Sequence, residues 1–194
     1  MQNSQTISPE YLNLNKQMHE GNFGGGGYKR IPHILPVIKE FGIKTILDYG
    51  CGQGTLAIGL EEAKKNGVVE FDSICNYDPA RREYSKKPTG VFDLVCCTDV
   101  LEHIEPDYLD NVIEDLYQYT GKVAYLFIAC SKANKVLPDG RNAHLIQEGP
   151  HWWMSRLISD KTPWAPWGSE KYLDKDNPGS VKKFMVFMKK QVAS

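Results

Sequence analysis

The segment ILDYGCGQGTL, residues 46–56, constrains this chain more than any other. A short apolar stretch runs into Gly50, Gly52 and Gly54, and a helical pattern begins at Thr55. A strand that turns at once into a helix needs backbone angles that side chains disfavour, and bare glycine lets a ligand lie against the main chain. Amides that open the following helix can then face polar groups of that ligand. The spacing is GxGxG, whereas dinucleotide sites carry GxGxxG. Asp48, just ahead of the turn, would repel a pyrophosphate and suits cationic ligand groups instead.

The rest of the chain alternates strand-like and helix-like stretches. Residues 1–23 carry Tyr11, Leu12, Leu14 and Met18 at helical spacing, and Gly24 to Gly27 form a run that reads as a hinge or as a lid passing close to a cofactor. IPHILPVIKEFG has helical periodicity with Gly42 as its C-cap. Strands are expected at 44–50, 68–78, 91–100 and 123–130, and helices at 55–67, 107–120 and 152–158. The period-2 pattern of 182–190 predicts a late strand, with 164–173 pairing to it as a hairpin. This order implies an α/β fold: a Rossmann-like, mostly parallel sheet with helices on both faces and a C-terminal antiparallel hairpin. A single domain is expected, with residues 1–43 as a helical cap or lid, 44–130 as the cofactor-binding core, and 131–194 as substrate loop, helix and terminal hairpin.

The second expected strand ends in NYDPA, which sets Asp78 at its carboxyl end, where an acid can accept hydrogen bonds from both hydroxyls of a ribose. ILDYGCGQG resembles motif I of class I S-adenosylmethionine-dependent methyltransferases. Asp78 falls where that family keeps its ribose-binding acid, and FDLVCCTDVLEHI (92–104) resembles motif IV of the ubiquinone-biosynthesis type. The resemblance implies methyl transfer from S-adenosyl-L-methionine, with cofactor contacts at Gly50, Cys51 and Gly52 (methionine end), Asp78 and Pro79 (ribose side), and Thr98 and Asp99; Asp48, from its charge, is expected to face the ammonium and sulfonium groups. The chain departs from the family between Asp78 and Val91, where ARREYSKKPTG leaves too little room for a helix and a third strand. A short or missing third strand is expected, which leaves open how adenine is held.

Methyl transfer asks an enzyme for orientation, exclusion of water and, for a hydroxyl acceptor, a base or a metal. The donor-rich loop 131–153 supplies His144 as first choice of base and His151 as second, with Asp99 as a further catalytic candidate. Some relatives, among them small-RNA 2′-O-methyltransferases, hold a divalent cation with an ExxEH motif and a later histidine. Here the motif reads Asp99-x-x-Glu102-His103, with Glu102 and His103 expected to open the next helix and His144 as the later histidine, so Glu102, His103 and His144 are candidate ligands. The plainer expectation is that these residues shape a metal-free pocket. The four tryptophans are expected to pack helix and hairpin onto the sheet, and the lysine pairs 182–183 and 189–190 to protect a strand edge or stand as its solvated ends.

Composition limits the partners. A formal net charge of −1 gives no long-range field for polyanions, and no apolar run approaches the roughly 20 residues of a membrane span. An odd cysteine count without a CxxC pair reads as reduced thiols in a cytoplasmic protein. The expected acceptor is a small molecule, methylated on oxygen, and the expected assembly is a monomer or homodimer. The alternatives are a metal-dependent RNA 2′-O-methyltransferase and a non-catalytic adenosylmethionine-binding module.

Overall fold

The computed structural model describes residues 5–20 and 24–191; the ends of the expected amphipathic segment 1–23 lie outside them. Six strands form one sheet: β1 Thr45–Tyr49, β2 Ser73–Tyr77, β3 Phe92–Thr98, β4 Thr120–Ala129, β5 Trp164–Leu173 and β6 Val181–Lys190. Their order is β2-β1-β3-β4-β6-β5, with β6 antiparallel to both of its neighbours and the remaining pairs parallel. The helices are α1 Pro9–His19, α2 Ile31–Phe41, α3 Thr55–Lys65, α4 Leu109–Tyr119 and α5 Pro150–Leu157.

Alternation along β4 builds both faces of the core. Ala124, Leu126 and Ile128 meet α4 and α5 through Leu116, Trp153 and Leu157, while Tyr125 and Phe127 meet α2 and α3 through Ile34, Leu56 and Leu60. A smaller cluster docks α1 on the loop after β4, where Tyr11 packs with Leu137 and Ala143. Trp153 and Trp164 are buried, as packing anchors should be. Gly42 ends α2 in the left-handed conformation, φ 54°.

Residues 80–90, all of them described, contain a 3₁₀ turn at Arg82–Tyr84 and no strand, so β2 is an outer strand of the sheet. Three expectations need correction. The second strand begins only at Ser73, because Val69 and Phe71 are spent in a connection that packs on the α2–α3 face. Glu102 and His103 lie in a 3₁₀ turn, and α4 starts later because Pro106 opens a second such turn. The lysine pairs do not guard an edge, since β5 covers β6; Lys183 reaches Asp99, and Lys190 Nζ donates to the Tyr117 carbonyl. Among the described residues no helix is long and apolar enough to cross a membrane.

Candidate active site

The chain crosses from β1 to β2 on one side of β1 and returns to β3 on the other. Such a reversal opens a crevice at the carboxyl ends of the strands. The cavity there has a volume of about 340 Å³. Asp48, Gly50, Cys51, Gly52, Asp78, Pro79, Thr98 and Asp99 all line it.

Its floor is the glycine turn. The amides of Gly50 and Cys51 both donate to the Tyr77 carbonyl, at 2.7 and 3.1 Å, which ties the turn to the end of β2. Gly50 has φ 74°, and a Cβ there would fall 2.4 Å from the Val100 side chain. Gly52, at φ 53°, would place a Cβ 2.6 Å from the Gly24 carbonyl oxygen. The Gly24–Gly27 run therefore lies directly over the turn, fastened by Gln53 N–H donating to Gly24 at 3.1 Å. The Asp78 carboxylate accepts from the amides of Gly52 and Ala80, both at 2.9 Å, and faces His19 at 3.7 Å.

A roof closes the other side. Ser8 donates from its amide and hydroxyl to the Glu105 carboxylate at 2.9 and 2.8 Å, and the Tyr11 hydroxyl donates to the His103 carbonyl at 2.6 Å. Thr6, Ile7, Tyr11, Asn15 and His19 thereby line the cavity. A cap or lid over residues 1–43 was expected, but not these contacts. Tyr11 at its helical spacing was the one available signal, since a long-range contact to residue 103 leaves no periodic trace.

Electrostatics separate the carboxylates. Asp48 is fully buried, and burial, then the charge of Asp78, push its pKa up to about 7. A carboxylate so placed lacks a cationic partner. The ammonium and sulfonium of S-adenosylmethionine would supply one, and the side-chain-free floor admits its methionine end, so the residues present fit this cofactor. Glu102 is also raised to about 7, by burial and then by Asp99; its Oε1 accepts from the Ala129 amide at 2.9 Å, and its Oε2 is buried without a hydrogen-bond partner. Burial lowers the pKa of His103 and favours a neutral imidazole.

His103 and His144 meet edge to face, centroids 4.9 Å apart, each with Nδ1 against a carbonyl: Ala143 at 2.6 Å and Ser131 at 2.5 Å. Ligating atoms of Glu102, His103 and His144 lie within 4.8 Å of one another. Asp99, by contrast, turns away to Arg30 and Lys183, at 3.1 and 3.0 Å. Of the imidazoles expected to act, His144 stands behind His103 and does not line the cavity, and His151 is exposed on α5, away from it. His103 does line it. Arg141 is occupied by Asp139 at 2.7 Å, and Asn142 braces the loop through Ala133 and His144.

A methyltransferase-domain profile matches residues 25–172, well over half of the chain. The chain belongs to the methyltransferase-domain family. It is an S-adenosylmethionine-dependent enzyme of class I. The fold is shared with Burkholderia thailandensis 1,6-didemethyltoxoflavin-N1-methyltransferase, solved with its substrate and S-adenosylhomocysteine: TM-score 0.63, 13% identity, 98% of this chain and 93% of that one covered. Magnesium protoporphyrin IX methyltransferase from Synechocystis PCC 6803, with S-adenosylmethionine bound, gives TM-score 0.59 at 13% identity over 92% of this methyltransferase and 91% of its own chain. The small RNA methyltransferase HEN1 gives TM-score 0.60 at 13% identity, over 86% of this chain and 25% of that one. No curated protein matches the sequence significantly.

Proposed function

We propose that this methyltransferase methylates an oxygen of a small-molecule acceptor, with His103 receiving the proton that the acceptor hydroxyl gives up. When bound, S-adenosylmethionine supplies an electrophilic sulfonium methyl. Asp78 and Pro79 hold its ribose, Gly50, Cys51 and Gly52 its methionine end, and Asp48 balances its positive charge. Thr98 and Asp99 border the methyl side. Thr6 and Ile7 of the strap close over adenine, which takes the part of the strand missing from 80–90.

The observation that carries this reading is the half-buried His103 imidazole, its pKa lowered by burial, bordering the same cavity as Thr98 and Asp99. A hydrogen bond from Nδ1 to the Ala143 carbonyl sets the tautomer whose Nε2 lone pair can take a proton. The roof supports a small acceptor. About 340 Å³ lies in the range of small-molecule pockets, and residues of α1 and its strap help to line it. The substrate in the name of the Burkholderia enzyme is likewise a small molecule, though methylated on nitrogen.

A second reading draws on the partnerless Oε2 of Glu102. Glu102, His103 and His144 would hold a divalent cation that binds the acceptor hydroxyl, as for an RNA 2′-O-acceptor. One experiment tests both. S-Adenosylhomocysteine production is followed over a panel of hydroxylated and amino small molecules, before and after exhaustive chelation. The base reading expects turnover on a hydroxyl acceptor that survives chelation, and a loss of about 10²-fold or more in His103→Ala with cofactor binding retained. Turnover lost on chelation and restored by Mg²⁺ or Mn²⁺ selects the metal reading. Turnover of amines alone would refute oxygen as the acceptor, and no turnover beside tight cofactor binding would favour a non-catalytic module.

A further inference from the structure

Asp99 is the single non-glycine residue with positive φ among the described residues, at 54°, and it is gripped by two cations. Arg30 Nη2 lies 3.1 Å from Oδ2, and Lys183 Nζ lies 3.0 Å from Oδ1. One carboxylate between two cations leaves the trio with a surplus positive charge. Arg30 is held rigidly, its guanidinium 3.4 Å from the Phe127 ring centre and its side chain 13% exposed. Its Nε is buried without a hydrogen-bond partner. Desolvating a guanidinium is costly, and Lys183 alone would neutralise Asp99.

Position gives the surplus charge a use. Asp78, Gly50 and Asp99 follow the ends of β2, β1 and β3, the proposed track of the cofactor. Phe127 and Lys183 continue the row onto β4 and β6, beyond the methyl end. Arg30 and Lys183 line the same cavity as His103, and Lys183 is near enough to depress the His103 pKa.

We infer that Arg30 and Lys183 form an anion subsite for the acceptor, whose carboxylate or phosphate docks there while its hydroxyl faces His103. The inference rests on the oxygen-methylation reading for the placement of that hydroxyl. A paired guanidinium and ammonium offer several donors to an oxyanion, each charge-assisted. The methionine carboxylate of the cofactor has the same chemistry, so the test must separate the two sources.

Protein saturated with S-adenosylhomocysteine is titrated calorimetrically with benzoate and inorganic phosphate, and with benzyl alcohol as the uncharged control. At least one anion should bind where benzyl alcohol does not. Lys183→Met and Arg30→Gln should each weaken that anion tenfold or more, and Lys183→Arg should restore it. Both should leave S-adenosylhomocysteine and 5′-methylthioadenosine, which lacks the methionine carboxylate, within about threefold of the parent. If Arg30→Gln fails to fold, Lys183→Met and its arginine rescue carry the test. Loss of S-adenosylhomocysteine with methylthioadenosine unchanged would assign the subsite to the cofactor and overturn the inference. Equal anion binding in parent and variants, or none in either, would do so too. Methylation of an anionic acceptor on nitrogen would refute the oxygen reading alone. Turnover of an anionic hydroxyl acceptor by Lys183→Met at the parent's kcat/KM would refute the subsite alone.

Discussion

Asp48→Asn should make the ligand-free protein more stable and the cofactor complex weaker. In the unfolded chain the carboxyl titrates near 3.8, whereas in the fold it is pushed up to about 7 by burial and by Asp78. The folded state therefore holds the proton more tightly. Stability from this group is fully present below pH 3.8 and is lost as pH rises towards 7. That displacement corresponds to about 4 kcal/mol, and half of it, about 2 kcal/mol, is a fair expectation once side-chain relaxation and water are allowed for. Asparagine keeps the shape and removes the charge. At pH 8, Tm of the ligand-free variant should rise by about 4–8 °C, while at pH 4 parent and variant should nearly coincide. S-Adenosylmethionine should bind the variant at least tenfold more weakly at pH 8, and in the parent its affinity should decline below pH 7 as Asp48 takes up its proton. Thermal melts and calorimetry at the two pH values give every quantity needed. A variant that melts lower than the parent at pH 8, or one that binds the cofactor as well, would show that Asp48 is held by something other than an unmet need for a cation.

Two further substitutions probe the floor and the roof. Gly52→Ala places a methyl group 2.6 Å from the Gly24 oxygen at a backbone φ of 53°. It should lower Tm by about 2–8 °C from left-handed strain of about 1–2 kcal/mol, and weaken S-adenosylhomocysteine more than tenfold; an unchanged affinity would mean that the glycine run does not cover the cofactor. Glu105→Ala removes both bonds to Ser8. Amide exchange over residues 8–14 should speed up, and S-adenosylhomocysteine should bind about three- to tenfold more weakly, detectable by exchange mass spectrometry and calorimetry.

The sheet and its hairpin were readable because buried parallel strands and an alternating late strand leave local signatures, and ILDYGCGQG with Asp78 located the crevice from chain-local chemistry. The missing third strand was legible too, since twelve residues between Asp78 and Val91 cannot span two elements and their turns. What escaped were the partnerships of Lys183 and Tyr11 across long separations. Both are ordinary residues in their local sequence, and only the meeting of residue 183 with 99 and of 11 with 103 gives them roles. The grouping of His103 with His144 was legible in the motif and the later histidine. Lys183 in particular read as edge protection, because nothing local says which strand will be covered. The imidazole that borders the cavity is decided by the 3₁₀ turn at Leu101–His103, a distinction that periodicity cannot make.

The strap anchored by Ser8 and Tyr11 has a kinetic consequence. Both residues, like Gly24, are tethered to groups around the crevice mouth, so a cofactor held as proposed leaves only when these tethers release. The dwell time of S-adenosylhomocysteine thus becomes a clock for detachment of the first helix, and it runs at the same pace whichever acceptor has just been methylated.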